Sequence, residues 1–184
     1  MTPLADVLLA IGLAAVAVFF VSFLLWGLLP FYKPDLRPLP DDAAFVRAIT
    51  PLNLEPGNYV FPQPDTPKDY KTDAFQARYD AGPWGVLRLG KARPNFGRNL
   101  AFTFLVYLGV VFLAAYLTSR AVAPGAEFLD VFQVAFTACA LGFVFGGLPG
   151  DIFFSKSIGF IARELVGALA YAGVAAGVLS LMWP

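Results

Sequence analysis

The sequence predicts an all-α membrane fold with four transmembrane helices and a small α+β, proline-rich extramembrane domain between helices 1 and 2. The first observation is four long apolar stretches, Leu4–Leu29, Leu100–Thr118, Phe128–Gly147 and Ile158–Trp183. Each is about as long as the roughly 17–25 residues that a helix needs to cross about 30 Å of hydrocarbon. The second is composition: 58% of the 184 residues are hydrophobic and 14% charged, against about 25% charged in soluble domains.

The third observation is a polar segment between the first two stretches. Eleven of the fifteen prolines and eighteen of the twenty-six charged residues lie between Pro30 and Arg98. We therefore predict transmembrane helices at residues 1–30, 99–120, 127–148 and 157–184, and an extramembrane domain at residues 31–98. A domain of about 68 residues builds only a marginal core. We expect it to dock on the membrane helices or on a partner.

The first apolar stretch is interpreted as a retained anchor. It lacks the basic n-region and the small-residue cleavage site of a signal peptide, and its apolar core is too long for one. Within the domain, acidic residues after Pro40 predict a short helix near residues 41–49. The segments Gly57–Phe61 and Trp84–Leu89 are rich in strand formers and able to pair, and a second short helix is predicted between them at Asp73–Asp80.

The last three helices are joined by short connections. Ala123–Ala126 links the second and third as an antiparallel hairpin, and a tight loop is predicted at Leu148–Ser157. Two GxxxG motifs mark candidate helix-packing residues, which are Gly142, Gly146, Gly173 and Gly177. Small residues let helices approach closely. These faces favour packing within the chain or against another protein.

Three polar residues form the candidate intramembrane site: Glu164, Asp130 and Gln133. A carboxylate at membrane depth costs about 2.5–3.5 kcal/mol, so Glu164 is interpreted either as a structural carboxylate near the headgroups or between helices, or as an ion- or proton-handling group. Asp130 and Gln133 lie near a helix N-terminus, where a capping or dipole role is the alternative to a shallow polar notch. Arg163 is expected to extend to the membrane surface.

Composition also excludes several kinds of chemistry. The chain has no histidine, which removes the usual haem ligand and the usual proton shuttle near neutral pH. The net charge is zero, with basic residues spread among acids, so nucleic acid is not an expected partner. The single cysteine, Cys139, is expected to pack as a small apolar residue. We predict no cofactor, no metal site and no catalytic residue.

Lysine and arginine counts near the helix ends predict the orientation. The side that carries the domain has seven of these residues, and the other side has Arg120; the seven are Lys33, Arg37, Arg88, Lys91, Arg93, Arg98 and Lys156. The rule that basic loops stay inside places the domain in the cytoplasm and both termini outside. Because the rule applies best to loops shorter than about 60 residues, a domain that escapes it is the alternative.

Several segments resemble a group of small bacterial four-span membrane proteins to which no activity is assigned. The resemblance rests on RPLPDD at Arg37–Asp42, LEPGNYVFP at Leu54–Pro62, GPWGVL at Gly82–Leu87, PNFGRNLAFTFLVY at Pro94–Tyr107 and the terminal LMWP. It implies a four-span architecture in the bacterial cytoplasmic (inner) membrane. It implies no role for any individual residue.

Two functions remain as hypotheses. The first is a non-enzymatic accessory or scaffold subunit of a larger membrane complex, a respiratory or photosynthetic assembly being one host. Its partners are then membrane lipids and either the larger complex or further copies of the chain. The second is a small transporter or channel protomer that uses Glu164 and Asp130, with Gln133, at an oligomer interface. A membrane enzyme ranks third because no catalytic constellation supports it.

Overall fold

A computed structural model describes residues 2–154 and 156–184. The chain divides after Arg37 and after Pro94 into two compact units. We call residues 2–37 with 95–184 the helical unit, and Pro38–Pro94 the proline-rich unit. The chain is mostly helical, and its described residues include four helices long and apolar enough to cross a membrane and one two-stranded sheet. The prediction of four apolar membrane-length helices is confirmed at that level.

The elements are, in chain order, α1 (Leu8–Phe23), α2 (Asp42–Ile49), β1 (Gly57–Phe61), α3 (Asp73–Ala81), β2 (Gly85–Leu89), α4 (Phe96–Ala121), α5 (Phe128–Phe145), α6 (Leu148–Phe153) and α7 (Ile158–Leu181). A 3-10 turn at Leu4–Val7 precedes α1, and a π-helical turn at Leu24–Leu28 follows it. When the two turns are counted with α1, and α6 is counted with α5, four segments are long enough to cross a membrane. They are Leu4–Leu28, Phe96–Ala121, Phe128–Phe153 and Ile158–Leu181.

The segment between α5 and α7 differs from the prediction. A tight loop was expected at Leu148–Ser157, but Leu148–Phe153 forms α6. Pro149 stands in the first turn of this helix, where a proline interrupts no hydrogen bond because the first N–H groups of a helix have no partner within it. Asp151 in the same turn suits the positive end of the helix dipole. The proline that indicated a loop therefore starts a helix.

The four long helices pack as a ring. Helix α1 contacts α4 and α7, and α5 contacts the same two helices. Alanines dominate the buried core between them, including Ala10 and Ala14 of α1, Ala114 of α4, Ala135 of α5, and Ala172, Ala175 and Ala176 of α7. Small side chains bring helix backbones close together, which is how helices associate where lipid is as apolar as the side chains.

Both ends of the described chain are tied to the connection between α4 and α5. The backbone N–H of Thr2 donates to the carbonyl of Ser119 at 3.1 Å, and the Thr2 hydroxyl donates to the carbonyl of Val122 at 3.2 Å. The indole N–H of Trp183 donates to the carbonyl of Ala123 at 3.1 Å. These bonds close one end of the ring of helices.

The proline-rich unit contains the two predicted strands and the two predicted short helices. Strands β1 and β2 pair antiparallel, with Gly57 opposite Leu89 and Phe61 opposite Gly85. Asp41 caps α2 by accepting a 2.7 Å hydrogen bond from the backbone N–H of Ala44. Thr72 caps α3 in the same way. The starts of both short helices are therefore fixed by local capping bonds.

Candidate functional site

Seven polar side chains gather in the helical unit where α1 ends and α7 begins. We call them the polar cluster: Ser22, Tyr32, Asp35, Tyr107, Arg163, Glu164 and Tyr171. They come from α1, the segment after it, α4 and α7. The sequence predicted Glu164 alone among them as a site residue. The other six carry no local motif, and their proximity comes from the tertiary packing.

An ion pair between Asp35 and Arg163 fastens the segment after α1 to the start of α7. The guanidinium Nε donates to Oδ2 of Asp35 at 2.6 Å, and Nη2 donates to Oδ1 at 2.8 Å. The Asp35 side chain is 7% exposed and that of Arg163 is 32% exposed. Two parallel bonds of this kind fix both position and orientation. Arg163, which we expected to reach for the membrane surface, pairs instead with a carboxylate 128 residues away.

The hydrogen bonds from Arg163 hold the pKa of Asp35 below its usual range. An unfolded aspartate titrates near about pH 3.9. Because the folded-state pKa is lower still, the pair contributes its full stability above that pH and loses it as the pH falls through the folded-state value. The link between α1 and α7 therefore depends on an ionised Asp35.

Replacement of Asp35 by asparagine is expected to lower the thermal unfolding midpoint of the detergent-solubilised chain at pH 7. The difference from wild type should stay constant down to about pH 5 and shrink below about pH 4, as wild-type Asp35 takes up a proton first in the unfolded state and then, at lower pH, in the folded state. Asp130→Asn is the control, because Asp130 is exposed and forms no salt bridge among the described residues. A midpoint difference that is unchanged at pH 3 contradicts this role of the charge.

Tyr32 is the aromatic centre of the same region. Its ring stacks on Trp26 with centroids 3.8 Å apart and 16° between the planes. Its hydroxyl lies against Gly167, where a Cβ would overlap it. Burial raises the pKa of Tyr32 well above its usual value, and nearby Tyr171 and Glu164 raise it further. The phenol therefore stays protonated and is available as a hydrogen-bond donor.

Glu164 is half-buried near the start of α7. It lies six residues after Ile158, which is about 9 Å along the helix at 1.5 Å per residue. With Asp151 it lines a small pocket of about 40 Å³, whose other lining residues are Phe143, Val144, Gly147, Leu148, Ile161, Leu165 and Ala168. Asp151 itself pairs with Lys156 at 2.7 Å. The position of Glu164 near the start of α7, beside the Asp151–Lys156 pair, favours the interpretation of Glu164 as a structural carboxylate near a helix end.

A hydroxyl pair lies deeper in the bundle. The hydroxyls of Ser22 on α1 and Tyr107 on α4 are hydrogen-bonded at 2.8 Å. The ring of Tyr171 lies 5.7 Å from that of Tyr107, and its hydroxyl is the one buried side-chain polar atom without a hydrogen-bond partner among residues 2–154 and 156–184. Such groups are rare in folded proteins. The polar cluster thus reaches from the ion pair into the core.

The structure does not bring Asp130 and Gln133 to Glu164. Both are exposed near the N-terminus of α5, and the Glu164 pocket is lined by residues of α5 from Phe143 onward. Thirteen residues separate Asp130 from Phe143, which is about 20 Å of helix. The three predicted polar residues therefore form no single site within one chain.

The four predicted packing glycines have different surroundings. A Cβ at Gly142 would lie 2.8 Å from Cγ1 of Val110, so Gly142 is where α5 approaches α4. A Cβ at Gly146 would meet the Gly142 carbonyl of its own helix at 3.0 Å. At Gly173 and Gly177 a Cβ would have nothing within 4 Å. The buried small residues of α7 include Gly167, which sequence inspection passed over.

The described residues contain few groups suited to bond-making chemistry. No three Cys, Asp or Glu side chains within residues 2–154 and 156–184 are placed to hold a metal ion together. Cys139 is fully buried in the core between the helices. The polar cluster offers hydroxyls, one ion pair and one further carboxylate. These groups suit hydrogen bonding and helix positioning.

Comparison with known proteins does not add to this picture. No protein-family model, curated protein or solved structure matches the chain. The resemblance to the bacterial four-span group therefore stays a prediction.

Proposed function

We propose that this chain is a non-enzymatic accessory or scaffold subunit of a larger complex in the bacterial inner membrane. The four helices anchor it, and the proline-rich unit is its extramembrane part and contacts the partner. A respiratory or photosynthetic assembly is one host. The observation that carries the proposal is the apolar surface that the proline-rich unit exposes.

Nine large hydrophobic side chains of this small unit are exposed. Within Pro38–Pro94, all of whose residues are described, Phe75 is the one buried large hydrophobic side chain. The exposed ones are Leu39, Phe45, Val46, Leu52, Val60, Phe61, Tyr70, Tyr79 and Trp84. Soluble monomers rarely expose extended apolar patches, and when they do the patch usually marks an interaction site. We expect a partner to cover it.

Two features suit this surface to protein recognition. Helix α2 has no buried residue, and its apolar residues Phe45, Val46 and Ile49 recur at helical spacing. Trp84 is 61% exposed, yet its indole N–H donates to the carbonyl of Tyr79 at 2.6 Å, which holds the ring in place. Preordered aromatic side chains are the typical anchors of protein interfaces.

The charge distribution supports a cytoplasmic position for the proline-rich unit. Seven basic residues in the segments that flank the membrane helices belong to its side, and Arg120 lies on the other. Cytoplasmic loops of membrane proteins carry this excess. The proposal therefore places the partner's contact surface in the cytoplasm and both termini outside.

Gentle extraction of the tagged chain from its native membrane, followed by native mass determination, tests the proposal. The expected result is a stoichiometric complex with at least one other polypeptide. Replacing Leu52 and Trp84 together by serine should release the chain from that complex while it remains in the membrane. A lone monomer after extraction of the wild type contradicts the proposal.

The alternative is a transporter or channel protomer, and the half-buried Glu164 beside its small pocket is the observation that favours it. Because Asp130 lies about 20 Å along α5 from the part that lines the Glu164 pocket, the transport hypothesis involves Glu164 and its neighbours without Asp130. It expects a homo-oligomer on extraction and loss of flux in Glu164→Gln. Unchanged flux in that variant contradicts it.

A further inference from the structure

A groove opens where the first membrane helix ends. It measures about 290 Å³ and is lined by Trp26, Gly27, Leu28, Leu29, Pro30, Tyr32, Lys33 and Leu36. All of these residues belong to the helical unit. The groove begins within the last turn of the membrane-length segment and continues into the residues after Leu28. It therefore spans the boundary between apolar and polar surroundings.

The local backbone explains why the groove is there. The π-helical turn at Leu24–Leu28 widens the end of α1, and Leu29 then becomes extended. The stack of Tyr32 on Trp26 folds the following residues back beside the helix. The ion pair of Asp35 with Arg163 fastens the far end of this segment. The groove walls are thus held by two contacts, the Trp26–Tyr32 stack within its lining and the Asp35–Arg163 ion pair outside it.

The walls and the rim differ in chemistry. Three leucines, Leu28, Leu29 and Leu36, form the apolar part of the walls, and all three are exposed. The rim carries Lys33, which is exposed and has no salt bridge among the described residues. A lysine at the end of a membrane helix is positioned to meet lipid headgroups.

The ion pair leaves the rim positively charged. Both oxygens of Asp35 accept hydrogen bonds from Arg163, so this carboxylate is already neutralised by a partner on α7. Arg37 lies close enough to Asp35 to lower its pKa as well. Lys33 is therefore the one charged residue among those that line the groove. An anion matches this rim, and an acyl chain matches the walls.

We propose that this groove binds an anionic phospholipid, with its phosphate on Lys33 and one acyl chain along the leucine walls. Trp26 and Tyr32 then lie at the level of the headgroup and glycerol, where aromatic rings prefer to be. A zwitterionic lipid makes the same apolar contacts with the leucine walls, but its headgroup is attracted less strongly to Lys33. The proposal is independent of the accessory-subunit function.

Native mass spectrometry of the full chain in non-ionic detergent tests the site. The chain is titrated with phosphatidylglycerol and, separately, with phosphatidylcholine of the same acyl chains. Wild type is expected to prefer phosphatidylglycerol, and Lys33→Gln should weaken that binding about fivefold, the typical contribution of one basic residue near an anionic surface. Phosphatidylcholine binding should fall by less in Lys33→Gln, because the positive choline offsets much of the attraction between its phosphate and Lys33.

Two controls make the result specific. Arg120→Gln removes an exposed basic residue at the other end of the helical unit and is expected to leave both lipids unaffected. Excess glycerol 3-phosphate should not displace the lipid, because the acyl chain supplies part of the binding. Equal binding of the two lipids to wild type, an equal loss in Arg120→Gln, or displacement by glycerol 3-phosphate overturns the proposal.

Discussion

Replacing Phe75 by alanine is expected to unfold the proline-rich unit. Phe75 is 1% exposed, and its ring packs against Tyr70 at 5.2 Å and Tyr79 at 5.7 Å between centroids. Loss of a buried phenylalanine typically costs about 3–5 kcal/mol. Because small units have little stability to spare, this loss removes the folded state and leaves the four long helices in place.

Limited proteolysis of the detergent-solubilised chain measures this effect. Cleavage of Phe75→Ala within Pro38–Pro94 should be at least a hundredfold faster than that of wild type, since about 3 kcal/mol shifts an opening equilibrium by roughly that factor. The control is Leu52→Ala, which truncates a side chain that is 62% exposed and should change stability by about 0.5 kcal/mol or less. Equal protection of Phe75→Ala and wild type contradicts a core centred on Phe75.

Gly167→Ala is expected to destabilise the helical unit by about 1–3 kcal/mol, the usual cost of overpacking a buried contact. The new Cβ would overlap the Tyr32 hydroxyl. Tyr32 has little freedom to move away because it stacks on Trp26 at 3.8 Å. The clash outweighs the gain of up to about 1 kcal/mol that alanine brings to a helix in place of glycine.

Gly173→Ala is the matched control on the same helix. A Cβ at Gly173 has nothing within 4 Å, so the helix-propensity gain acts alone and stability should stay equal or rise. Thermal unfolding of both variants in one detergent, followed by circular dichroism, measures the difference. A lower midpoint for Gly173→Ala than for Gly167→Ala contradicts the packing described for Tyr32.

The elements that the sequence predicted are those with a local physical cause. The four apolar stretches correspond to the four membrane-length helices because length and hydropathy are properties of consecutive residues. The strand formers of Gly57–Phe61 and Gly85–Leu89 pair as β1 and β2. Pro149 misled the prediction, because a proline suits a loop and the first turn of a helix equally well.

Most contacts of the polar cluster could not be predicted from the sequence, because they join residues that are far apart along the chain. Asp35 and Arg163 are 128 residues apart, and neither stands in a motif. Tyr32 meets Gly167 through the turn that follows α1. The sequence identified Glu164 as costly at membrane depth, but it gave no means to place Asp130 and Gln133 about 15–20 Å away along α5 from the Glu164 pocket.

The glycine motifs show why composition alone does not reveal a packing face. Helix α7 carries small residues on more than one side, and a GxxxG spacing selects two of them without indicating which side meets another helix. The buried side is formed by Ala172, Ala175 and Ala176, whereas a Cβ at Gly173 or Gly177 would face open space. Which side of α7 is buried depends on the order of the helices in the ring, because α7 packs against α1 and α5.

Photo-crosslinking from the proline-rich unit in native membranes tests the central claim most directly. A photoreactive amino acid is placed at Leu52 or Trp84, both exposed and apolar, or at exposed Lys68 as the polar control. We expect one discrete protein adduct from Leu52 and from Trp84, and little or none from Lys68. Adducts with lipid alone, or no adduct from either apolar position, would contradict a partner-binding role for this surface.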